Sequence, residues 1–171
     1  MPSSPKSAAG PVAVKIRSFE PGTSDAEAFR SLNEEWIRRF FAMEARDFEI
    51  LRDPESSILK HGGHIYMAYL GTEAVGCVAL ESMGERVYEL CKMAVKPNLR
   101  GQGVGRRLLE YAIEQARALG AESLSLGSST KLPNAVHLYE SVGFRHLPPE
   151  RRPNTPYSRT DVFMEKNLRQ D

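Results

Sequence analysis

Residues 86–120 place a strand-like run, a glycine-rich turn and an amphipathic helical pattern in direct succession. The run RVYELCKMAV stops before Pro97, and Gly101, Gly103 and Gly105 then follow at alternate positions. The apolar face of the helix expected next consists of Val104, Leu108, Ala112, Ala116 and Leu119, with Gly120 as its stop signal. A strand that leads directly into such a helix is the building unit of α/β folds.

Two further helices are predicted nearer the start of the chain. Ser24 and Glu27 have the spacing of a capping box, which predicts a helix from about Asp25. Its predicted buried stripe consists of Phe29, Leu32, Trp36 and Phe40. A second helix over residues 45–52 should end at the break made by Asp53 and Pro54, because the residue before a proline disfavours helical geometry.

The β-rich runs complete the predicted order of elements. HIYMAYL and AVGCVAL are separated only by GTE, which indicates a hairpin. The whole order reads β-α-α-β-β-β-α-β-α-β-β, and it predicts one α/β domain with a mixed central β-sheet flanked by helices. We expect this domain to span residues 12–169, after a disordered leader at residues 1–11.

Composition narrows the class of protein. A chain of 171 residues is suited to one domain, and its net charge of +1 argues against nucleic-acid binding through a basic surface. The two cysteines, Cys77 and Cys91, both lie in apolar stretches, which favours a reducing compartment over a disulfide scaffold. No signal-like or membrane-spanning apolar run is present in the sequence. We therefore expect a cytoplasmic protein without a membrane partner.

The three glycines allow two interpretations. A P-loop requires Lys-Ser or Lys-Thr after its last glycine, and a dinucleotide fingerprint requires a glycine at position 106; Arg106 and Arg107 exclude both. Glycines before a helix N-terminus can instead expose backbone N–H groups to an anion, which Arg100, Arg106 and Arg107 would reinforce. The alternative is a flexible turn whose arginines are only solvated.

The surrounding residues favour the anion site. LRGQGVGRRLLEYA resembles the acyl-CoA-binding signature of the GNAT superfamily of acetyl-CoA-dependent N-acetyltransferases, in which Arg100, Gly103 and Gly105 fill the defining positions. NAVHLYESVGF is similar to the family's next helix with its closing Gly-Phe, and YELCKMAV resembles its central strand. The resemblance covers residues from about 12 to 168 and is strongest from Glu89 to Phe144.

The resemblance implies how the cofactor acetyl-CoA would be bound. Its pyrophosphate would lie on the amides of the glycine loop, and its pantetheine arm would hydrogen-bond to the backbone of the central strand, where an N–H, that of Met93, would polarise the thioester. The implied cofactor-binding residues are Met93, Ala94, Val95, Arg100, Gly101, Gln102, Gly103, Val104, Gly105, Arg106 and Asn134. Asn134 could alternatively cap its own helix.

The resemblance also implies direct attack of an amine on the thioester, without a covalent enzyme intermediate. Tyr139 falls where the family has a tyrosine facing the CoA sulfur, which implies a general acid, although such a tyrosine can also be a core ring. Glu89 is the candidate general base; alternation places it on one face with Cys91 and Met93, where apolar neighbours would raise its pKa.

Other residues remain alternatives in this scheme. Glu89 could instead be a structural carboxylate paired with Lys92 or Arg86, and Glu81 is a further candidate base. His61 and His64 flank a turn without a third ligand, so we predict no metal site.

The acceptor pocket would be formed by the first two helices and the loop before the last strand. The residues that these segments supply are Trp36, Arg38, Phe40, Phe41, Glu44, Tyr157 and Arg159. Arg38 and Arg159 are candidates to hold an acceptor carboxylate, or they are merely solvated.

We expect a small-molecule or amino-acid amine as acceptor. Transfer to a protein lysine or N-terminus, or a non-catalytic acyl-CoA-binding module, are the alternatives. The resemblance also allows a homodimer.

Overall fold

The computed structural model describes residues 13–169; the predicted leader, residues 1–11, lies outside this range. The strands are β1 (Lys15–Ser18), β2 (His64–Leu70), β3 (Glu73–Ser82), β4 (Val87–Val95), β5 (Ser123–Ser128), β6 (Arg145–His146) and β7 (Val162–Asn167). The helices are α1 (Asp25–Phe40), α2 (Ala45–Arg52), α3 (Pro54–Ser57), α4 (Val104–Ala118) and α5 (Pro133–Ser141). Only the short α3 was absent from the predicted order.

The seven strands form one mixed sheet in the order β1-β2-β3-β4-β5-β7-β6. Only β4 and β5 pair in parallel; the other neighbouring strands are antiparallel. The predicted hairpin is β2 and β3, whose first residue pair is Leu70 with Glu73. This architecture confirms the predicted α/β fold with a mixed sheet.

Helices cover both faces of the sheet because alternate strand residues are apolar on each side. One core contains Leu108 and Ala112 of α4 together with Val78 of β3. The opposite core contains Phe29 of α1 and Ile50 of α2. Strands β2, β3 and β4 contribute side chains to both cores, whereas β5 and β7 contribute to the core beside α4.

Three details of the helices differ from the predictions. Ser24 makes no capping hydrogen bond, and the buried carboxylate of Asp25 instead accepts hydrogen bonds from Arg17 and from the N–H of Glu20. The buried face of α1 includes Ile37 rather than Phe40, which is 38% exposed. At the end of α4, Leu119 is exposed because Gly120, with φ of 81°, turns the chain away.

Strands β4 and β5 pair over only a short stretch. Val87–Glu89 pair with residues 123–125, and beyond this point the two strands continue without pairing to each other. The unpaired lengths of β4 and β5 diverge, and the opening between them is the cleft described below.

A β-bulge interrupts β4 at Lys92. Cys91 lies opposite Ala79 and Ala94 lies opposite Cys77, so two residues of β4 oppose one of β3. Lys92 has φ of 52°, and the bulge turns Met93 into the core beside α4, while Cys91 faces the core beside α1. The prediction that Met93 shares a face with Glu89 and Cys91 is therefore wrong, because simple alternation does not allow for the extra residue.

Candidate active site

A cleft of about 1030 Å³ occupies the opening between β4 and β5. It is walled by α1, by the start of α4, by α5 and by the loop before β7. Its basic lining residues are Arg46, Lys92, Arg100, Arg106, Lys131 and Arg159, whereas its acidic ones are only Glu81 and Glu89. The lining is thus more basic than the chain as a whole, as expected for a site that receives a polyanion.

The glycine loop, residues 100–105, forms one end of the cleft. Gly101 and Gly103 have φ of 77° and 83°, values that side-chain-bearing residues rarely adopt, and nothing lies within 4 Å of where a Cβ would be. The first hydrogen bond of this turn runs from Arg107 N–H to Gly103 O, so the preceding N–H groups of α4 need other partners. The loop can therefore offer backbone donors and a helix N-terminus to an anion.

The three arginines of this region point in different directions. Arg106 hydrogen-bonds to Ser141 Oγ at 2.7 Å, and Arg107 bonds to the carbonyl of Val14 at 2.8 Å. Arg100 reaches across to α1, where its guanidinium lies 4.5 Å from the centre of the Trp36 ring. Its Nε and Nη2 atoms are buried without a hydrogen-bond partner among residues 13–169. Two nitrogen atoms of Arg100 can therefore donate to a ligand.

Tyr139 lies deep in the cleft wall. Its side chain belongs to α5, is 9% exposed and packs edge-on against Phe144 with ring centroids 6.1 Å apart. Burial, and secondarily the neighbouring Cys91, raise the pKa of Tyr139 to about 12. Its hydroxyl is consequently protonated at neutral pH, the state that a general acid requires.

Glu89 lies on β4 at the point where pairing with β5 stops. Burial, and then the carboxylate of Glu81 on the opposite strand, raise its pKa, whereas Lys92 and Arg46 oppose that rise. Arg46 donates to Glu81 Oε1 at 2.5 Å, and among the described residues Glu89 has no ion pair of its own. The alternative that Glu89 is a structural partner of Lys92 is wrong, because Lys92 pairs with Asp47.

The remaining predicted residues fall mostly on the same cleft. Met93, Ala94, Val95, Val104 and Gly105 line it together with the glycine loop. The exception is Gln102, whose side chain turns back to the carbonyl of Asn98 at 3.1 Å.

Asn134 also lines the cleft, and its alternative role as a helix cap is wrong. Leu132 is the N-cap of α5 and Pro133 its first residue, so Asn134 lies inside the first turn, two positions after the cap.

Comparison with known proteins agrees with this geometry. The model of the acetyltransferase (GNAT) family matches residues 27–144. The chain belongs to the GNAT acetyltransferase family. It is therefore an enzyme of the acetyl-CoA-dependent N-acetyltransferase class.

Individual relatives span most of the GNAT domain. The uncharacterized N-acetyltransferase YsnE of Bacillus subtilis is 33% identical over 133 residues, which is 74% of this chain and 80% of YsnE. The aminoalkylphosphonate N-acetyltransferase of Salmonella typhimurium is 30% identical over 105 residues, covering 58% of this chain and 68% of the relative. The crystal structure of a GNAT acetyltransferase from Staphylococcus aureus superposes with a TM-score of 0.82 at 22% identity, covering 91% and 99% of the two chains.

The GNAT domain carries a buried ionic cluster beside its cleft that sequence reasoning missed. Asp47 of α2 accepts from Lys92 Nζ at 2.6 Å and from both Nη atoms of Arg159 at 2.8 Å. Glu44 and Tyr157 complete this group, which we call the Asp47 cluster. These ion pairs lower the pKa of Asp47 to about 2, in spite of its burial. The partners are far apart in sequence, so no local spacing signals them.

The Asp47 cluster changes the interpretation of the acceptor arginines. Arg38 is exposed and outside the cleft lining, and Arg159 donates both Nη atoms to Asp47. Arg38 thus lies away from the cleft, and Arg159 is already paired with two carboxylates, those of Asp47 and Glu44.

Within residues 13–169 of this GNAT chain, no helix is long and apolar enough to cross a membrane. No three His, Cys, Asp or Glu side chains are grouped there to hold a metal ion.

Proposed function

We propose that this GNAT enzyme transfers the acetyl group of acetyl-CoA to a primary amine of a small molecule or amino acid by direct attack. The observation that carries the proposal is the meeting of the glycine loop, the diverging segment of β4 and Tyr139 around one cleft. A relative named for a small aminoalkylphosphonate substrate supports a small-molecule acceptor. We also propose a cytoplasmic location, as predicted from cysteine usage. The proposed reaction requires neither a nucleic acid nor a membrane.

The residues present fit an acyl-CoA. The open space beside Gly101 and Gly103 and the free N–H groups at the start of α4 suit a pyrophosphate. The unpaired Nε and Nη2 atoms of Arg100 suit a further anionic oxygen, since a buried guanidinium without acceptors is unfavourable. Beyond Glu89, the edge of β4 that faces β5 has no strand partner, so its backbone groups are available to an extended arm.

The chain's own groups can then perform the transfer. Acetyl-CoA supplies the activated acetyl group as a thioester. A backbone N–H of the β4 segment, that of Met93, would stabilise negative charge developing on the carbonyl oxygen. Glu89, through water, would take the proton of the attacking amine, and the hydroxyl of Tyr139 would protonate the departing sulfur. No side-chain nucleophile is needed in this scheme.

The direct test is thiol release from acetyl-CoA in the presence of a panel of primary amines. We expect at least one primary amine to accelerate thiol release and to gain 42 mass units, about the mass of an acetyl group replacing hydrogen, since only an N–H amine gives a stable amide. Tertiary amines of similar shape are the matched controls and should cause no release. If acetyl-CoA binds but no primary amine of the panel is acetylated, the small-molecule acceptor is wrong, and transfer to a protein lysine or N-terminus is the next function to test.

A further inference from the structure

Lys92 has a backbone conformation that its residue type does not favour. Its φ of 52° is in the left-handed region, where a residue with a Cβ is disfavoured relative to glycine. In the glycine loop the positions with positive φ are glycines, whereas in the β4 bulge the position with positive φ is a lysine. An interaction that offsets this cost would stabilise the bulge.

The side chain of Lys92 supplies that interaction. Although it is a lysine, only 5% of its side chain is exposed, and its Nζ lies 2.6 Å from Oδ1 of the fully buried Asp47. The same Nζ donates to the hydroxyl of Tyr157 at 3.1 Å and lies 4.6 Å from the centre of that ring. A buried charge pair of this kind is rigid, because breaking it would leave either charge uncompensated.

Asp47 is itself held by two other residues. Its Oδ2 accepts from the N–H of Glu44 at 2.9 Å, and Arg159 holds both carboxylate oxygens at 2.8 Å. Glu44 in turn accepts from the N–H of Ser158 at 2.9 Å. Asp47 is thus held in place even without Lys92, and these contacts join α2 to the loop before β7.

We propose that the Lys92–Asp47 ion pair is a latch that holds the β4 bulge, so that both residues position the acyl-CoA-binding segment Met93–Val95. This inference rests on the proposed function, because it concerns the segment that would contact the pantetheine arm and the thioester.

The bulge decides which way this segment faces. Because side chains alternate along a strand, removing the extra residue from the ladder would send Met93 to the opposite face and rotate its N–H as well. The latch would also couple the thioester segment to the acceptor side of the cleft, since Tyr157 and Arg159 line that side.

Two substitutions of Lys92 distinguish a latch that holds the bulge from a direct contact between Lys92 and the cofactor. Lys92→Ala and Lys92→Gly both remove the ion pair, but only alanine resists a φ near +52°. Asp47 keeps Arg159 and the Glu44 N–H in both variants, which protects the fold. Binding of acetyl-CoA and of adenosine 3′,5′-bisphosphate, which lacks the pantetheine arm, should be measured by calorimetry for each protein.

We expect Lys92→Ala to weaken acetyl-CoA binding about tenfold, the factor that corresponds to the cost of the left-handed conformation. Lys92→Gly should stay within about twofold of the wild type, because glycine adopts this conformation freely. Both variants should bind the bisphosphate as the wild type does. In a Lys92→Gly background, Asp47→Asn should cause no further loss, whereas in the wild-type background it should weaken acetyl-CoA but not bisphosphate binding.

Equal affinities of the alanine and glycine variants for acetyl-CoA would overturn the latch, whether both are weakened or neither is. Equal loss for acetyl-CoA and bisphosphate would also overturn it, because that pattern indicates general damage to the site. Failure of the wild type to bind acetyl-CoA would instead count against the proposed function. The two failures are therefore distinguishable.

Discussion

The guanidinium of Arg100 lies 4.5 Å from the centre of the Trp36 ring, and this contact joins the glycine loop to α1 across the cleft. Phe40 packs against the same guanidinium at 5.6 Å. Two nitrogen atoms of Arg100 are buried without a partner among residues 13–169, so they can donate hydrogen bonds to an anionic ligand. Because Trp36 is the single tryptophan of the sequence, its fluorescence reports directly on this contact.

Binding of acetyl-CoA should change the fluorescence of Trp36, and Arg100→Gln should reduce both the signal and the affinity. We expect an affinity loss of about tenfold or more, because hydrogen bonds to a charged group contribute about 1.5–3 kcal/mol. Arg151→Gln is the matched control, since it breaks an exposed ion pair with Glu165 away from the cleft. Unchanged affinity in Arg100→Gln would remove this arginine from the site.

Tyr139→Phe should reduce turnover by about two to four orders of magnitude, the usual contribution of a general acid or base. Affinity for acetyl-CoA should stay near that of the wild type, because the ring and its contact with Phe144 are retained. Steady-state kinetics and calorimetry on the same preparation measure the two quantities. Turnover equal to that of the wild type would exclude Tyr139 as the acid.

Glu89→Gln should lower turnover at neutral pH, and raising the pH should partly restore it because more of the amine is then already neutral. In the wild type, turnover should fall as the pH drops through the raised pKa of Glu89. Glu81→Gln removes a nearby negative charge, which lowers the pKa of Glu89 and should shift this acid limb to lower pH. An acid limb that does not move, or full activity in Glu89→Gln, would contradict the assignment.

Asp47→Asn should destabilise the fold by about 3–5 kcal/mol at neutral pH, because it leaves the buried Lys92 and the partly buried Arg159 with a weakened partner. The pKa of Asp47 is lowered to about 2, so its carboxylate stabilises the fold above the unfolded-state pKa near 3.8. That contribution should be lost as the pH falls from about 4 towards 2. Urea unfolding across this range measures it, with the exposed Asp53→Asn as control. A variant as stable as the wild type at pH 7 would refute the buried ion pair.

Much of the fold could be predicted because its signals are local. The Asp53-Pro54 break and the Gly120 stop mark helix ends, and the structure ends α2 and α4 at or beside them. The capping box at Ser24 failed because Ser24 has helical φ and ψ of −65° and −4°, whereas a capping residue needs extended geometry. The spacing of residue types does not reveal this backbone conformation.

The cofactor-binding part of the site could be predicted from the sequence better than the acceptor-binding part. Gly101 and Gly103 need positive φ, and glycine at such positions is visible in the sequence. The bulge at Lys92 has no such signal, because a lysine occupies the positive-φ position and its ion-pair partner, Asp47, lies 45 residues away. The ion pairs of Arg159 with Asp47 were equally hidden, because the two residues lie 112 positions apart in the sequence.

The most direct measurement is a calorimetric titration of the purified protein with acetyl-CoA, repeated with Gly103→Asp. We predict binding in the micromolar range (about 10⁻⁶ M, or roughly −8 kcal/mol) for the wild type. Binding should be abolished in the variant, because aspartate is strained at φ of 83° and repels the pyrophosphate. Absence of binding to the wild type at millimolar cofactor, or an affinity unchanged by Gly103→Asp, would contradict the acyl-CoA site.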